Sequence, residues 1–535
     1  MATISCGKLL FGKIKVVLIS QQLILVFKLQ TFMRLYFSFL FLIFSSATFA
    51  QKIVYSEVDF DDTRRMTFEI IGKVSGNFLV YKNLRNRSFV SIYDNNMEQK
   101  ARVEQDYIPD RALNVDFFPY SDFFYVVYQY QKRNVVYCDA AKINGDGKMV
   151  GKVITLDTTH IGFAGNNKVY SAISSEDKSK LMIFKINSRN KSNFAITTLL
   201  FDNNLELKKR SRFDLPMEEY REYLNDFNVD NDGDFVFTKV NRNANETINN
   251  TELFWKAAAS DSLISIDAQD DKLFLDDPHI KIDNYNKRYF LSSFYYTKKR
   301  GNIEGFYFYV WDKTSRAPSM QNSVALGDEL RKEAKSNDAN TKTAFNDYFI
   351  RDVIIKKDGG FLINTESYYT TSRFNSWDRL NYLYGYPMLS SFDYYYPYSP
   401  YNSWYWRNRY DNQSQRHHAE NITILSFDRN GSPQWNAVVH KDQFDDQSDE
   451  RISYQTMNTG GQIHYLFNVD EKRALLLNDY TLSPGGQINH NPTLKNLDRG
   501  YEFMPKYGKQ VSSYQFIVPC YFRNLICFAK IEFNQ

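Results

Sequence analysis

A short turn-and-strand module recurs along the chain, and this repeat constrains the fold more than any other feature. Segment 226–238 aligns without a gap on 352–364, and a third copy covers 70–81. Each copy has an apolar strand, a turn in which Asp or Ser precedes glycine, and a second apolar strand led by Phe. The turn glycines are Gly76, Gly233 and Gly359. Because glycine supplies the positive φ that a tight hairpin turn needs, the module predicts repeated β-hairpins.

A second module supplies a further hairpin after several of these copies. In it an apolar strand ends in Asp94, Asp202 or Asp428, and a polar turn follows. An aspartate at the first turn position accepts hydrogen bonds from the turn backbone, which is a structural role. Two successive hairpins make a four-stranded antiparallel sheet, and radial repetition of such sheets gives a β-propeller.

We therefore predict an all-β fold, a single β-propeller of about seven four-stranded antiparallel blades. The count rests on strand landmarks near residues 78, 126, 170, 235, 289, 361 and 463. Stacked β-sandwiches are the alternative, since strand signals by themselves do not separate the two architectures.

One turn carries a resemblance to known propeller families. The run from Phe427 to Trp435 resembles the Asp…Gly…Trp turn of quinoprotein-like and WD-type blades, here with Asp428 and Gly431. In the quinoprotein pattern the Gly and Trp stand one residue further along. The resemblance implies a propeller scaffold in an exported bacterial protein. It does not imply the quinone cofactor, and we expect no cofactor.

The first 50 residues have the composition of an export leader. Met33-Arg34 precedes the apolar run 35–44 and a stretch of small residues that ends at Ala50. This pattern predicts a signal peptide with translation from Met33 and cleavage after Ala50. An uncleaved anchor that also uses residues 16–27 is the competing interpretation.

The remaining chain, 51–535, is expected to form the exported body. No later segment approaches the apolar length of a transmembrane helix, so we predict a mature body that does not span a membrane. The whole sequence has a net charge of +4, but without residues 1–50 there are 61 basic and 62 acidic residues. The body therefore lacks a polyanion-binding charge, and we expect no nucleic-acid partner.

An aromatic-rich insertion at 367–418 interrupts the repeat pattern. Between 368 and 410 it holds twelve Tyr, two Phe and three Trp. Tyr and Trp combine flat apolar faces with polar tips, which suits binding to sugar rings or to side chains of a partner. The alternative is a loosely ordered loop with no specific ligand. The candidate ligand-binding residues are Trp377, Tyr384, Tyr386, Tyr395, Trp404, Trp406 and Arg407.

Other candidate chemistry has a structural explanation. Asn228-Val-Asp230-Asn-Asp232-Gly233 matches the start of a calcium loop, but the twelfth position, where an EF-hand needs an acidic residue, is Lys239. Neither the adjacent His417-His418 nor His464 has metal-ligand spacing, so we expect no metal and no catalytic residue.

A two-residue turn at 523–524 would place Cys520 opposite Cys527. These two residues are a candidate disulfide, and two buried free thiols are the alternative.

The sequence thus predicts an exported non-catalytic binding or scaffold protein of the bacterial cell envelope, located in the periplasm, at the outer membrane or outside the cell. Its expected partner is an envelope protein or a glycan, held by the insertion. The alternative is a propeller hydrolase acting on glycans or peptides, because enzymes and binding hubs share this fold.

Overall fold

The computed structural model describes residues 51–60, 66–161, 168–190, 192–218, 221–242, 248–299, 301–335, 340–372, 379, 415–446, 448–471, 474–491 and 500–533. These residues form eight antiparallel sheets. The described residues from 53 to 533 group into one compact unit.

The first four blades follow one another along the chain. Blade 1 contains β2 (Met66–Val74), β3 (Asn77–Leu84), β4 (Arg87–Tyr93) and β5 (Gln99–Glu104). Blade 2 contains β6 (Ala112–Pro119), β7 (Phe123–Lys132), β8 (Val135–Asn144) and β9 (Ile154–His160). Blade 3 contains β10 (Tyr170–Ser174), β11 (Lys180–Asn190), β12 (Asn193–Asp202) and β13 (Leu207–Pro216). Blade 4 contains β14 (Glu222–Val229), β15 (Phe235–Arg242), β16 (Ile248–Lys256) and β17 (Ile264–Asp267).

The other four blades carry the longer connections. Blade 5 contains β18 (Phe274–Asp283), β19 (Arg288–Tyr296), β20 (Gly305–Asp312) and β21 (Ala317–Ala325). Blade 6 contains β22 (Tyr348–Ile355), β23 (Phe361–Ser372), β24 (Gln415–Phe427), β25 (Pro433–Val439) and β26 (Gln443–Asp445). Blade 7 contains β27 (Tyr454–Asn458), β28 (Ile463–Glu471), β29 (Ala474–Leu482) and β30 (Ile488–His490). Blade 8 contains β1 (Lys52–Tyr55), β31 (Tyr501–Phe503), β32 (Lys509–Ser512), β33 (Gln515–Phe522) and β34 (Leu525–Glu532).

Helical structure is confined to connections among the described residues. Helix α1 (Asp328–Ala334) and the 3-10 turn Thr341–Thr343 precede β22 of blade 6, and the 3-10 turn Pro505–Tyr507 precedes β32 of blade 8. Among the segments that the structure places, no helix combines the length and hydropathy needed to cross a bilayer.

The sheets are arranged as a propeller. Within blades 1 to 7 the main strands pair in chain order. The first strands of neighbouring blades contact each other, as β2 does with β6 and β14 with β18, so the first strand of each of these blades is its inner strand. Aromatic side chains fill the space between blades: the ring of Phe361 in blade 6 lies 4.9 Å from that of Phe308 in blade 5. This radial packing confirms the propeller and excludes stacked sandwiches.

The eighth blade joins the two ends of the described chain. Strand β1 pairs with β34 at the outer edge of that sheet. Just beyond it, the Ser56 amide donates to Phe528 O at 2.8 Å and the Asp59 amide to Ile526 O at 2.7 Å. The predicted count of about seven blades is therefore one below the observed eight. The sequence shows only a terminal hairpin here, because one strand of this sheet comes from the opposite end of the repeat array.

Both turn modules have the predicted geometry. Gly233 and Gly359 adopt φ of 92° and 86° in the first turn of their blades. In the second turn type, Asp94 Oδ1 accepts the amides of Asn96 at 2.8 Å and Glu98 at 3.0 Å. The recurring Gly and Asp residues are therefore structural, as expected.

Candidate functional site

Five inner strands contain a β-bulge, and three bulges hold a charged residue. The strands β2, β6, β14, β18 and β22 shift register against their neighbours. The bulged residues include Asp226, Asp277 and Arg351, of which the two aspartates have φ of 55° and 61°. Because a bulge re-aims side chains and interrupts pairing, it lets charged groups gather on the inner strands.

The bulges of blades 4 and 5 form an acidic cluster around His279. His279 Nε2 lies 2.8 Å from Asp277 Oδ1, and the other oxygen of Asp277 accepts the Ile350 amide at 3.1 Å. Asp226 accepts the Ile280 amide from the neighbouring blade. Burial lowers the pKa of His279, but the carboxylates of Asp277 and Asp226 outweigh this and raise it to about 9. His279 is therefore cationic at neutral pH.

Arg379 anchors the start of the insertion beside this cluster. Its Nε donates to Asp276 Oδ2 at 3.0 Å and its Nη1 to Asn346 O at 3.3 Å. Its guanidinium lies 4.1 Å from the ring centroid of Phe349. Burial lowers the pKa of Arg379, but Asp276 and Asp277 shift it upward overall. Arg379 therefore stays charged and ties the insertion to blades 5 and 6.

A cavity of about 360 Å³ opens at the base of the insertion. Asp352 of β22 and Tyr368 of β23 line one side, and Tyr454, Gln455 and Thr456 of β27 line the other. Its volume lies within the range of about 300–1,000 Å³ that is usual for small-molecule sites. The cavity lies between blades 6 and 7, a few residues from the last described residue of β23.

The charged groups of this pocket are already paired. Arg351 Nη2 lies 2.9 Å from Glu366 Oε2, and Lys506 Nζ lies 2.7 Å from Asp449 Oδ2. Asp352 has a longer contact of 3.4 Å with Lys281. The pocket is therefore polar, and each of these charges has an opposite charge beside it.

A buried ion pair supports the pocket wall from behind. Glu366 Oε1 lies 2.8 Å from Lys441 Nζ, and Ser453 Oγ donates to Glu366 Oε2 at 2.6 Å. Burial raises the pKa of Glu366, but Lys441 and Arg351 outweigh it and hold that pKa below its ordinary value. The network connects blade 6 to the segment that leads into β27.

The predicted ligand-binding residues Trp377, Tyr384, Tyr386, Tyr395, Trp404, Trp406 and Arg407 lie outside the described residues. The strands on either side of them are described and form a long hairpin. Tyr368 Oη lies 2.9 Å from His417 Nδ1, and the rings of Tyr369 and His418 stack at 4.5 Å. The two adjacent histidines thus have different partners, and no metal-binding group of three or more His, Cys, Asp or Glu occurs in the described part of the chain.

The calcium-loop candidate holds a lysine ammonium. Lys313 Nζ lies 2.7 Å from Asp230 Oδ2, 2.7 Å from Asp232 Oδ2 and 2.9 Å from Asp234 Oδ2. Asp230 Oδ1 also accepts the amides of Asp232 and Asp234, as a turn aspartate does. The structural interpretation of this acidic turn is therefore supported.

The other singled-out residues lie away from the pocket. His464 is on β28, the second strand of its blade, and its Nδ1 lies 2.9 Å from Asp479 Oδ1. Cys520 lies directly opposite Cys527, as the turn at 523–524 predicts, with Sγ atoms 2.8 Å apart. Both thiols are free in this structure, and the disulfide stays a prediction.

Sequence reasoning missed the inner-strand residues around Asp277, Arg351 and Glu366. The run Asp276-Asp277-Pro278-His279 is the one local signal, since proline inside a strand marks a bulge or an edge. No local sequence pattern marks Arg351 or Glu366, because the residues that pair with Glu366 lie on different segments of the chain that only the fold brings together.

No protein-family model matches the sequence, and no curated protein matches it. Among the similar solved structures is an ulvan lyase of polysaccharide lyase family PL25, bound to -[GlcA(1-4)Rha3S]-. Its chain is 13% identical to this one with a TM-score of 0.35, and the match covers 77% of this chain and 90% of that chain. Prolyl oligopeptidase B from Galerina marginata is 8% identical, with a TM-score of 0.39 and coverage of 86% and 55%. The β-propeller domain of the Trilobed protease from Pyrococcus furiosus is 12% identical, with a TM-score of 0.34 and coverage of 84% and 98%. These distant similarities assign no activity. The chain is an all-β protein, and its described residues build an eight-bladed β-propeller.

Proposed function

We propose that this protein is an exported, non-catalytic binding or scaffold protein of the bacterial cell envelope. It holds an envelope partner, a protein or a glycan, through the insertion 367–418. The observation that carries the proposal is the cavity at the root of this insertion, lined by Tyr368. Export rests on the leader in residues 1–50.

The arrangement of blade 6 supports a binding role. Its hairpin strands β23 and β24 are 12 and 13 residues long and contain the two ends of the insertion. Arg379 holds the beginning of the insertion against blades 5 and 6. A rigid scaffold that presents an aromatic segment beside a polar cavity is typical of a recognition site.

Deletion of the insertion tests this function. The full-sequence protein and a variant in which a Gly-Ser linker replaces 380–414 are incubated with solubilised envelope, and retained glycans and proteins are identified by mass spectrometry. We expect material retained by the full protein to be lost by the deletion. Unfolding curves must show equal stability of the two forms, because Arg379 and the β23–β24 hairpin remain. Equal retention by both forms contradicts the proposal.

A second candidate function, a propeller hydrolase, is favoured by one observation on blade 1. Glu69 on β2 has a buried Oε2 without a hydrogen-bond partner in the described structure. Burial raises the pKa of Glu69 to about 7; Lys509 partly opposes this and Asp116 adds to it. A carboxyl group with this pKa suits general acid catalysis. Hydrolysis of envelope glycans or peptides by the wild type, abolished in Glu69→Gln, would establish this candidate and exclude the non-catalytic one.

A further inference from the structure

We propose that the cavity between blades 6 and 7 is a subsite for a short, uncharged saccharide. This inference rests on the proposed function and specifies the ligand of the same site. It depends on which polar groups of the cavity already form ion pairs or hydrogen bonds within the protein and which do not.

The charged residues of the cavity have their charges neutralised inside the fold. Arg351 pairs with Glu366, and Lys506 pairs with Asp449. Asp352 contacts Lys281. A polyanionic ligand would need a surplus of positive charge, because burying an uncompensated carboxylate or sulfate is costly. The cavity offers no such surplus, so an acidic polysaccharide does not match it.

The side chains with unused hydrogen-bonding capacity are neutral. Gln455 and Thr456 line the cavity from β27 and are half-buried. Neither side chain makes a hydrogen bond to another described residue. Adjacent residues of this regular strand project to opposite faces, so Thr456, on the face of Tyr454, is the side chain that meets the cavity. Its hydroxyl group can both donate and accept, which complements a sugar hydroxyl group.

Two tyrosines supply the apolar part of the wall. Tyr368 and Tyr454 are only 5% and 7% exposed, and both line the cavity. The hydroxyl of Tyr368 is engaged by His417, so the ring contributes mainly its carbon surface. Aromatic carbon beside neutral hydrogen-bonding groups matches a pyranose ring, which is apolar on its faces and polar at its edge.

Titration calorimetry with neutral and acidic oligosaccharides tests the subsite. The full-sequence protein is titrated with cello-, manno- and chito-oligosaccharides and, in parallel, with oligogalacturonate. We expect binding of at least one neutral series, weakened roughly three- to tenfold by Thr456→Val, the range for loss of one hydrogen bond, and unchanged by Gln455→Ala on the opposite face of β27. The matched control Gln487→Ala changes an exposed glutamine in the outer turn of blade 7 and should leave affinity unchanged.

The outcomes separate this inference from the proposed function. Tighter binding of oligogalacturonate than of every neutral series overturns the subsite, and so does neutral binding that Thr456→Val leaves intact at unchanged melting temperature. If no saccharide binds while the 380–414 deletion still loses its envelope partner, the subsite is wrong and the binding function stands. If the neutral saccharide binds but the deletion loses nothing, the subsite stands and the insertion is not the recognition element.

Discussion

Glu366 and Lys441 form an ion pair of 2.8 Å in which neither side chain is exposed to solvent. Glu366 also holds Arg351 at 2.9 Å, so one carboxylate compensates two cations, one fully buried and one at the wall of the cavity. The pocket therefore depends on a charge that lies behind it. Removing one partner of a buried pair is strongly destabilising because the other charge stays in a low-dielectric environment.

Glu366→Gln is expected to lower the free energy of unfolding by about 3–5 kcal/mol, because it leaves Lys441 and Arg351 without their anion. Lys441→Met should have a smaller effect, since Glu366 keeps Arg351 as a partner. The double variant should recover part of the loss. Urea unfolding of the three variants measures the loss of free energy of unfolding in each and so ranks them. Equal losses in the two single variants would show that Arg351 does not share the carboxylate.

The His279–Asp277 pair predicts a pH dependence of stability. The pKa of His279 is raised from 6.5 to about 9 in the folded protein. Its contribution is therefore complete below about pH 6.5 and is lost as the pH rises towards 9. The pKa of Asp277 is lowered, because His279 and Arg379 outweigh the effect of burial, so the carboxylate stays charged over this range.

We expect the wild type to lose more stability between pH 6 and pH 9 than His279→Gln does. Urea unfolding at the two pH values gives the difference, and NMR titration of the imidazole gives its pKa. The control His440→Gln changes an exposed histidine and should retain the wild-type slope. An equal loss of stability between pH 6 and pH 9 in His279→Gln and in the wild type would contradict the assignment of this pH dependence to His279.

Lys313 occupies the centre of the acidic turn of blade 4, and its removal should have two effects. Lys313→Met leaves Asp230 and Asp234, which are 5% and 6% exposed as side chains, without their cation. We expect a loss of about 3 kcal/mol, at the lower end for buried pairs because Asp232 is half-exposed. Millimolar calcium should raise the melting temperature of the variant but not that of the wild type. A wild-type response to calcium would mean that the lysine does not fill the site.

Asp59 links the segment after β1 to blade 1 through Lys82, whose side chain is 1% exposed. Asp59→Asn should lower the free energy of unfolding by about 3 kcal/mol. It should also accelerate hydrogen exchange in β34, since ring closure depends on this segment. Glu104→Gln, which breaks the solvent-exposed Arg87–Glu104 pair, should leave the free energy of unfolding almost unchanged, because water screens an exposed ion pair. Similar costs for the two variants would argue that Asp59 does not lock the ring.

The sequence by itself determined the all-β class, the hairpin turns and the register of Cys520 opposite Cys527. These features depend on local rules: glycine at positive φ, aspartate bonding its own turn, and a two-residue turn that fixes pairing. The tertiary structure decided the eighth blade, the Lys313 cluster and the pocket. Glu366 and Lys441 lie on separate segments, and only the radial arrangement of the blades brings Arg351 and Asp352 of β22, the start of β27 and Lys506 around one cavity. Such contacts leave no local pattern, because each partner obeys the periodicity of its own strand and the match between them exists only in space.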